Sequence, residues 1–252
     1  MAESGEVLNK ESSRISGMFN GIAPSYDLLN HLLSLNIDKY WRRGMVHFLK
    51  DAFTKAGGNI RPVPKVLDIA CGTGDSAIAL YKRGMAVTGA DIAEKMLEVA
   101  VAKNKKLAKK GLSAPLPEYI LASAEALPFP DNSFDAVTIS FGIRNFNRRE
   151  KCLAEIYRVI KPGGVLAILE FAKPENRFIR CTYNLYFNNI LPFVGNIISK
   201  DKGAYTYLAE SVEQFPRYDA FCQELKAGKF TNVTYKKYTS GIAVLYTGTK
   251  KP

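Results

Sequence analysis

Val66-Leu67-Asp68-Ile69-Ala70-Cys71-Gly72-Thr73-Gly74-Asp75 carries an apolar run into a glycine turn and on into a segment able to start a helix. The run has the composition of a strand buried on both faces. Gly72 and Gly74 permit tight backbone geometry and the close approach of a ligand, which side chains would obstruct. A helix N-terminus beyond them favours a carboxylate or a phosphate. About twenty residues after the first glycine a second apolar run ends in Asp91, placed to accept hydrogen bonds from ribose hydroxyls. With Ala77 the turn reads G-x-G-x-x-A, which also fits a nicotinamide dinucleotide. The stretch therefore fixes a nucleoside-binding α/β fold and leaves the cofactor open.

Outward from this turn, short apolar runs alternate with helical patterns. Strands are expected at Lys65–Ala70, Ala86–Ala90, Tyr119–Ala122, Ala136–Ser140 and Val165–Phe171. Helices are expected at Asp75–Lys82, Ala93–Lys110 and Arg149–Ile160. Such alternation implies a mostly parallel sheet with helices on both faces. Residues 1–60 read as a helical N-terminal cap, broken by Met18–Asp27 with its Pro24 and resumed over Asn36–Phe53. Residues 175–228 read as a helical substrate cap, with segments at Arg177–Leu191, Gly203–Phe215 and Asp219–Ala227. Phe230–Tyr238 and Ile242–Gly248 then alternate like an antiparallel pair. The expected architecture is one Rossmann-like domain over residues 1–252, a seven-stranded, mostly parallel sheet with an antiparallel closing strand.

At 252 residues, with 47% hydrophobic and 23% charged, the chain suits one such domain. No apolar run approaches the roughly 18 residues of a membrane span. Four dispersed cysteines and two histidines support neither a disulfide framework nor a metal site. With no apolar leader at the N-terminus, a cytoplasmic location is expected. The formal charge of +11 invites an anionic partner. The densest run, Lys103, Lys105, Lys106, Lys109 and Lys110, reads either as a solvated helix face or as a surface that visits phospholipid headgroups. Nucleic acid is not expected, because aromatic residues do not interleave with that run.

Later motifs separate the two cofactors. Ser123-Ala124-Glu125-Ala126-Leu127-Pro128-Phe129-Pro130-Asp131-Asn132-Ser133-Phe134-Asp135 follows the third strand, and Arg158-Val159-Ile160-Lys161-Pro162-Gly163-Gly164-Val165-Leu166 leads into the fifth. With the glycine turn, their order and spacing resemble the Class I S-adenosylmethionine-dependent methyltransferases. Met18-Phe19-Asn20-Gly21-Ile22-Ala23-Pro24-Ser25-Tyr26-Asp27-Leu28-Leu29-Asn30, Ser140-Phe141-Gly142-Ile143-Arg144-Asn145, Leu169-Glu170-Phe171-Ala172-Lys173-Pro174 and Gly241-Ile242-Ala243 narrow the resemblance. Together they are similar to the C-methyltransferases of menaquinone and ubiquinone biosynthesis, from about Met18 to Thr249. An RNA methyltransferase would call for an added basic module or an Asn-Pro-Pro-Tyr-like segment, and neither is present. A non-enzymatic cofactor-binding regulator would call for a degenerate glycine loop, and this one is intact.

The resemblance implies S-adenosylmethionine as cofactor, held by Gly72, Thr73, Gly74, Asp91, Ser123, Ala124 and Ser140. Ser123 is shorter than the Asn or Asp often found there in the family, so a backbone contact is expected of it. The implied reaction is methylation of a ring carbon, converting demethylmenaquinol to menaquinol. The alternative is the 2-methoxy-6-polyprenyl-1,4-benzoquinol of ubiquinone synthesis. No metal is implied. Arg144 is the candidate to polarise a quinol oxygen, with Asn145 holding the geometry. Tyr26 and Asp27 are candidates for closing the pocket, while Glu125, His31 and His47 are assigned no role. The prenyl tail is expected along Phe178, Tyr183, Tyr186, Phe187, Ile190, Leu191, Phe193 and Val194. A transient contact with an anionic membrane is expected at the inner face of the cytoplasmic membrane, and a homodimer is left open.

Overall fold

The Val66 run becomes the centre of the sheet, as its composition demands. The computed structural model describes residues 8, 10–55, 63–108, 115–177 and 203–252. Strands β1 (Lys65–Ile69), β2 (Ala86–Asp91), β3 (Glu118–Leu121), β4 (Phe134–Ser140) and β5 (Ile160–Phe171) are parallel. β6 (Thr231–Tyr238) and β7 (Ala243–Thr249) complete the order β3-β2-β1-β4-β5-β7-β6. β7 is antiparallel to both its neighbours. Val66 and Leu67 are fully buried, and β1 pairs with β2 and β4 through adjacent registers. The ends of β1, β2 and β4 therefore share one edge, where open α/β sheets bind ligands.

Helices α3 (Asp75–Tyr81), α4 (Glu94–Ala108) and α5 (Arg149–Val159) are the crossovers between parallel strands. α2 (Ile37–Lys55) buries Trp41, Met45 and Leu49 in one core with the β1, α3 and β5 side chains Val66, Leu80 and Leu169. Each such side chain contributes roughly 1.5–3 kcal/mol, so this part of the cap is a permanent layer of the fold. On the other sheet face, α5 and α7 (Asp219–Ala227) pack Leu153, Ile156, Phe221 and Leu225 against Ile139 and Tyr246. α6 (Gly203–Gln214) precedes α7, and Phe178 through Val194, expected to take the tail, lie outside the described residues.

α1 (Ser12–Leu33) departs from expectation by running unbroken through Pro24. Pro24 is exposed, so its ring lies on the solvent side and water can serve the carbonyl left without a helical N–H. The chain turns instead after Leu33. Leu35 and Asn36 have φ of 50° and 60°, and the Asn36 N–H bonds back to the His31 carbonyl at 2.8 Å. Ile22 and Ala23 of α1 then pack on Ala93 and Met96 beside α4, placing the helix across the ligand edge.

Candidate active site

Sharp turns at the ends of β1 and β4 make the floor of a cleft. Ala70, Gly72 and Gly74 all have positive φ, at 52°, 54° and 81°. A Cβ on Gly74 would collide with the Tyr119 hydroxyl, so this glycine is required both by conformation and by space. Phe141, just past β4, also has a positive φ of 59°, strain of the kind that gathers at functional sites. Above this floor opens a solvent-connected space of about 760 Å³.

Gly72, Asp91, Ser123, Ala124, Ser140 and Asn145, named from the sequence motifs, line the cleft. Asp91 accepts the Gly72 N–H at 2.8 Å and the Ala93 N–H at 2.9 Å, which fixes its carboxylate at the rim. Burial raises its pKa against these bonds, so a further hydrogen-bond donor has a receptive partner here. The Ser123 hydroxyl accepts the Glu125 N–H at 3.2 Å, closing a small turn with an isolated Ser123–Ala126 bridge. Glu125 also reaches the cleft and pairs with Arg148. Ser140 accepts a hydrogen bond from Ser76 at 2.9 Å.

Thr73 and Gly74 do not line this space. Thr73 is buried, donates its hydroxyl hydrogen to Asp27 and accepts from Lys103 at 3.1 Å. Lys103 also pairs with Asp27 and, at 2.7 Å, with Asp75, so it is engaged within the fold rather than part of a solvated basic face. His31 links Asp38 at 3.0 Å and Asp75 at 3.3 Å. Burial pushes the Asp75 carboxyl up, but Lys103 and Arg42 more than offset it and hold the group below the usual range. These ion pairs tie α1, α2, α3 and α4 together beneath the glycine turn.

Arg144 is placed differently from a cation facing a substrate. It is 6% exposed and is not among the cleft-lining side chains. Its Nη1 donates to Glu170 at 2.8 Å and to the Phe141 carbonyl, and its Nε donates to Ser211 at 3.3 Å. A guanidinium so engaged holds the turn after β4 to β5 and α6. Asn145, which does face the cleft, accepts the Tyr207 hydroxyl at 3.1 Å.

Sequence reasoning missed the contribution of the first turns of α1 and the residue that leads into them. Lys10, just before α1, and Ser12, Ile15 and Phe19 within it line the cleft beside Tyr26. Helical spacing puts Ile15, Phe19 and Tyr26 on one face, a signal legible only once Pro24 is read as internal to the helix. Asp68 is a second omission. It is fully buried, accepts Thr138 at 2.7 Å, and leaves its Oδ2 without a partner among the described residues. Burial lifts its pKa to about 7. Glycine turn and rim carboxylate fit a nucleoside.

The model of the ubiE/COQ5 methyltransferase family matches residues 7–250. The chain belongs to this family. A demethylmenaquinone methyltransferase of Thermus thermophilus is 45% identical over 92% of this chain and 99% of its own. A ubiquinone/menaquinone biosynthesis C-methyltransferase of Shewanella pealeana is 40% identical over 96% of this chain and 92% of its own. Among solved structures, a SAM-dependent methyltransferase of Thermotoga maritima has a TM-score of 0.59 at 18% identity, covering 93% of this chain and 99% of its own. A phosphoethanolamine N-methyltransferase of Haemonchus contortus, bound to S-adenosyl-L-methionine, reaches 0.55 at 17% identity over 80% of this chain and 52% of its own. At such identities these two establish the fold alone. The site of this family member thus sits at the ligand edge of a methyltransferase fold.

Proposed function

We propose that the protein is an S-adenosylmethionine-dependent C-methyltransferase that converts demethylmenaquinol to menaquinol. Near-full-length identity of 45% to a demethylmenaquinone methyltransferase carries this reading, and the intact glycine turn with Asp91 supports it. The benzoquinol of ubiquinone synthesis is the second substrate reading, favoured by the double assignment in the name of the Shewanella relative.

When bound, the cofactor supplies a methyl on a positively charged sulfur. The residues of this chain bind, orient and exclude water. Asp91 would take the ribose hydroxyls, Ser123 and Ala124 the adenine side, and Gly72 the methionine side, with Thr73 and Gly74 shaping the turn from outside the cleft. Ser140 and Asn145 line the same cleft and would orient the ring carbon toward the bound cofactor. Arg144 acts from beneath: paired with Glu170, it fixes the turn that presents Asn145. The C1 and C4 hydroxyls of a quinol raise electron density on the adjacent carbons, so only the reduced ring is a competent nucleophile. The tail-bearing substrate places the work at the cytoplasmic face of an anionic membrane, visited reversibly.

The test is turnover of purified protein with demethylmenaquinol or its oxidised quinone, followed by NMR of the product. Methyl on carbon from the reduced substrate alone is expected. An O-methyl product, or no reaction with either quinol class, overturns the assignment.

A further inference from the structure

Arg144 spends its guanidinium on Glu170, Ser211 and the Phe141 carbonyl, so a cation that meets the substrate has to come from elsewhere. Among the described residues, Lys10 is the only cation that lines the cleft. The two carboxylates that line it are engaged: Asp91 with the Gly72 and Ala93 N–H groups, Glu125 with Arg148. Lys10 is half-buried, on a segment pinned over the cleft. Ser16 donates to the Ile92 carbonyl at 2.8 Å, Asn20 accepts the Lys95 N–H at 3.0 Å, and Ile15 is buried. The charges that face Lys10 are Arg149 of α5, Arg144 after β4, Glu170 of β5 and Glu224 of α7. Glu170 and Glu224 are already paired, with Arg144 and Arg149. Lys10 therefore stands on the β4–β5 side of the cleft, while Asp91 ends β2 on the other side of β1. With the nucleoside at Asp91 and Ser123, the Lys10 side is left to the methyl acceptor.

A ring hydroxyl ionises near pH ~10, as tyrosine does. A cation within hydrogen-bond reach favours the ionised oxygen, most strongly where water is scarce. We propose that the Lys10 ammonium donates a hydrogen bond to the quinol oxygen next to the carbon that is methylated, and holds that oxygen as the anion. This rests on the methyltransferase reading above. The hydroxyl proton passes to water. The adjacent ring carbon then forms its bond to the methyl, leaving the electron pair of the broken methyl–sulfur bond on sulfur, and its own proton goes to water to restore the aromatic ring. Burial, reinforced by Arg149 and Arg144, lowers the Lys10 pKa against the pull of Glu170 and Glu224, so the ammonium gains from an anionic partner. Other titratable groups on the cleft do not compete: burial raises Tyr26 and pushes the Cys152 thiol up to about 12.

The test is anaerobic turnover of a short-tailed demethylmenaquinol by the full chain from pH 6.5 to 9.5, with S-adenosylmethionine affinity measured by calorimetry. Lys10→Met keeps the length of the side chain and removes the charge. It is expected to lower kcat about tenfold or more at neutral pH and to leave cofactor affinity within twofold. The gap should close as pH rises, because solvent then ionises the quinol and Lys10 itself loses its proton. Lys10→Arg should restore most of kcat at neutral pH. A Lys10→Met protein with wild-type kcat throughout overturns the proposal, as does a rise in KM alone. A loss that is the same at every pH, or one matched by weaker cofactor binding, assigns Lys10 a structural or cofactor role and overturns it too. If thermal melting shows Lys10→Met unfolded, Lys10→Gln carries the comparison on the same criteria. A wild type that methylates no quinol overturns the methyltransferase reading and this one with it, whereas an active wild type with an indifferent variant overturns this one alone.

Discussion

Asp68 ties the electrostatics of the site to the stability of the fold. Its folded pKa of about 7 stands above the ordinary 3.8, so the folded state holds a proton that the unfolded chain releases. Stability from this group is complete below the unfolded value and is lost as pH rises through about 7. Asp91 is raised in the same direction by burial. The ligand-free protein should melt at progressively lower temperature between pH 5 and pH 8, and Asp68→Asn should flatten much of that slope. A calorimetric series that slopes the other way would mean that Asp68 is ionised and paired in the fold. Asp91→Ala should weaken S-adenosylmethionine binding by about 1.5–3 kcal/mol, because a charge-assisted acceptor is removed from the rim. An unchanged calorimetric affinity in a folded variant would remove Asp91 from the site. Arg144→Lys retains a charge but loses the planar fork that joins Glu170, Ser211 and the Phe141 carbonyl. Turnover should fall several-fold with cofactor affinity almost unchanged, since the turn that presents Asn145 is what loosens. Full activity in this variant would leave the buried pair without a part in the reaction.

At the scale of elements, what the sequence made legible followed local patterning. β1 was readable because Val66, Leu67 and Ile69 are apolar and the run leads into Gly72 and Gly74, both with positive φ. Asp91 was readable because a strand of fixed rise must end near it. Pro24 misled, because proline's effect depends on which way its ring faces, and the exposure of that helix side is set by tertiary packing of Ile22 and Ala23 on Met96. Arg144 misled for a related reason. Its position after β4 is local information, but its partner Glu170 comes from β5 and Ser211 from α6, so the neutralising contacts are non-local. Because α1 is continuous, Pro24 removes a helical hydrogen bond without shaping a turn. Pro24→Ala should then stabilise the protein by on the order of 1–3 kcal/mol, with little change in turnover. Thermal melting checks this directly, and a loss of stability would show that the helix needs the proline's geometry.

For the whole molecule, the difficulty is one of solvents: the proposed substrate is a quinol whose tail belongs in lipid. No helix among the described residues is long and apolar enough to cross a membrane. The formal charge of +11 offers another route, attraction to anionic headgroups. Part of that charge is spent inside, since Lys103, Arg42 and Arg144 are all paired within the fold. Arg43, Lys50 and Arg83 are exposed around Val46 and Ala79, and no carboxylate pairs with them among the described residues. Each such lysine or arginine near an anionic leaflet contributes about 1 kcal/mol, within a Debye length of roughly 8 Å at physiological salt. Vesicle sedimentation should therefore find binding that rises with the fraction of anionic lipid and falls steeply as salt is added. Reversing Arg43, Lys50 and Arg83 to glutamate changes the net charge by six, yet leaves the cleft untouched. That variant should lose most vesicle binding while keeping wild-type affinity for S-adenosylmethionine and normal turnover of a short-tailed quinol in detergent. Its turnover of long-tailed quinol in anionic vesicles should fall. Equal partitioning of wild type to neutral and anionic vesicles at every salt concentration would sink the electrostatic account, because attraction between a basic surface and a charged leaflet cannot be indifferent to both charge and screening.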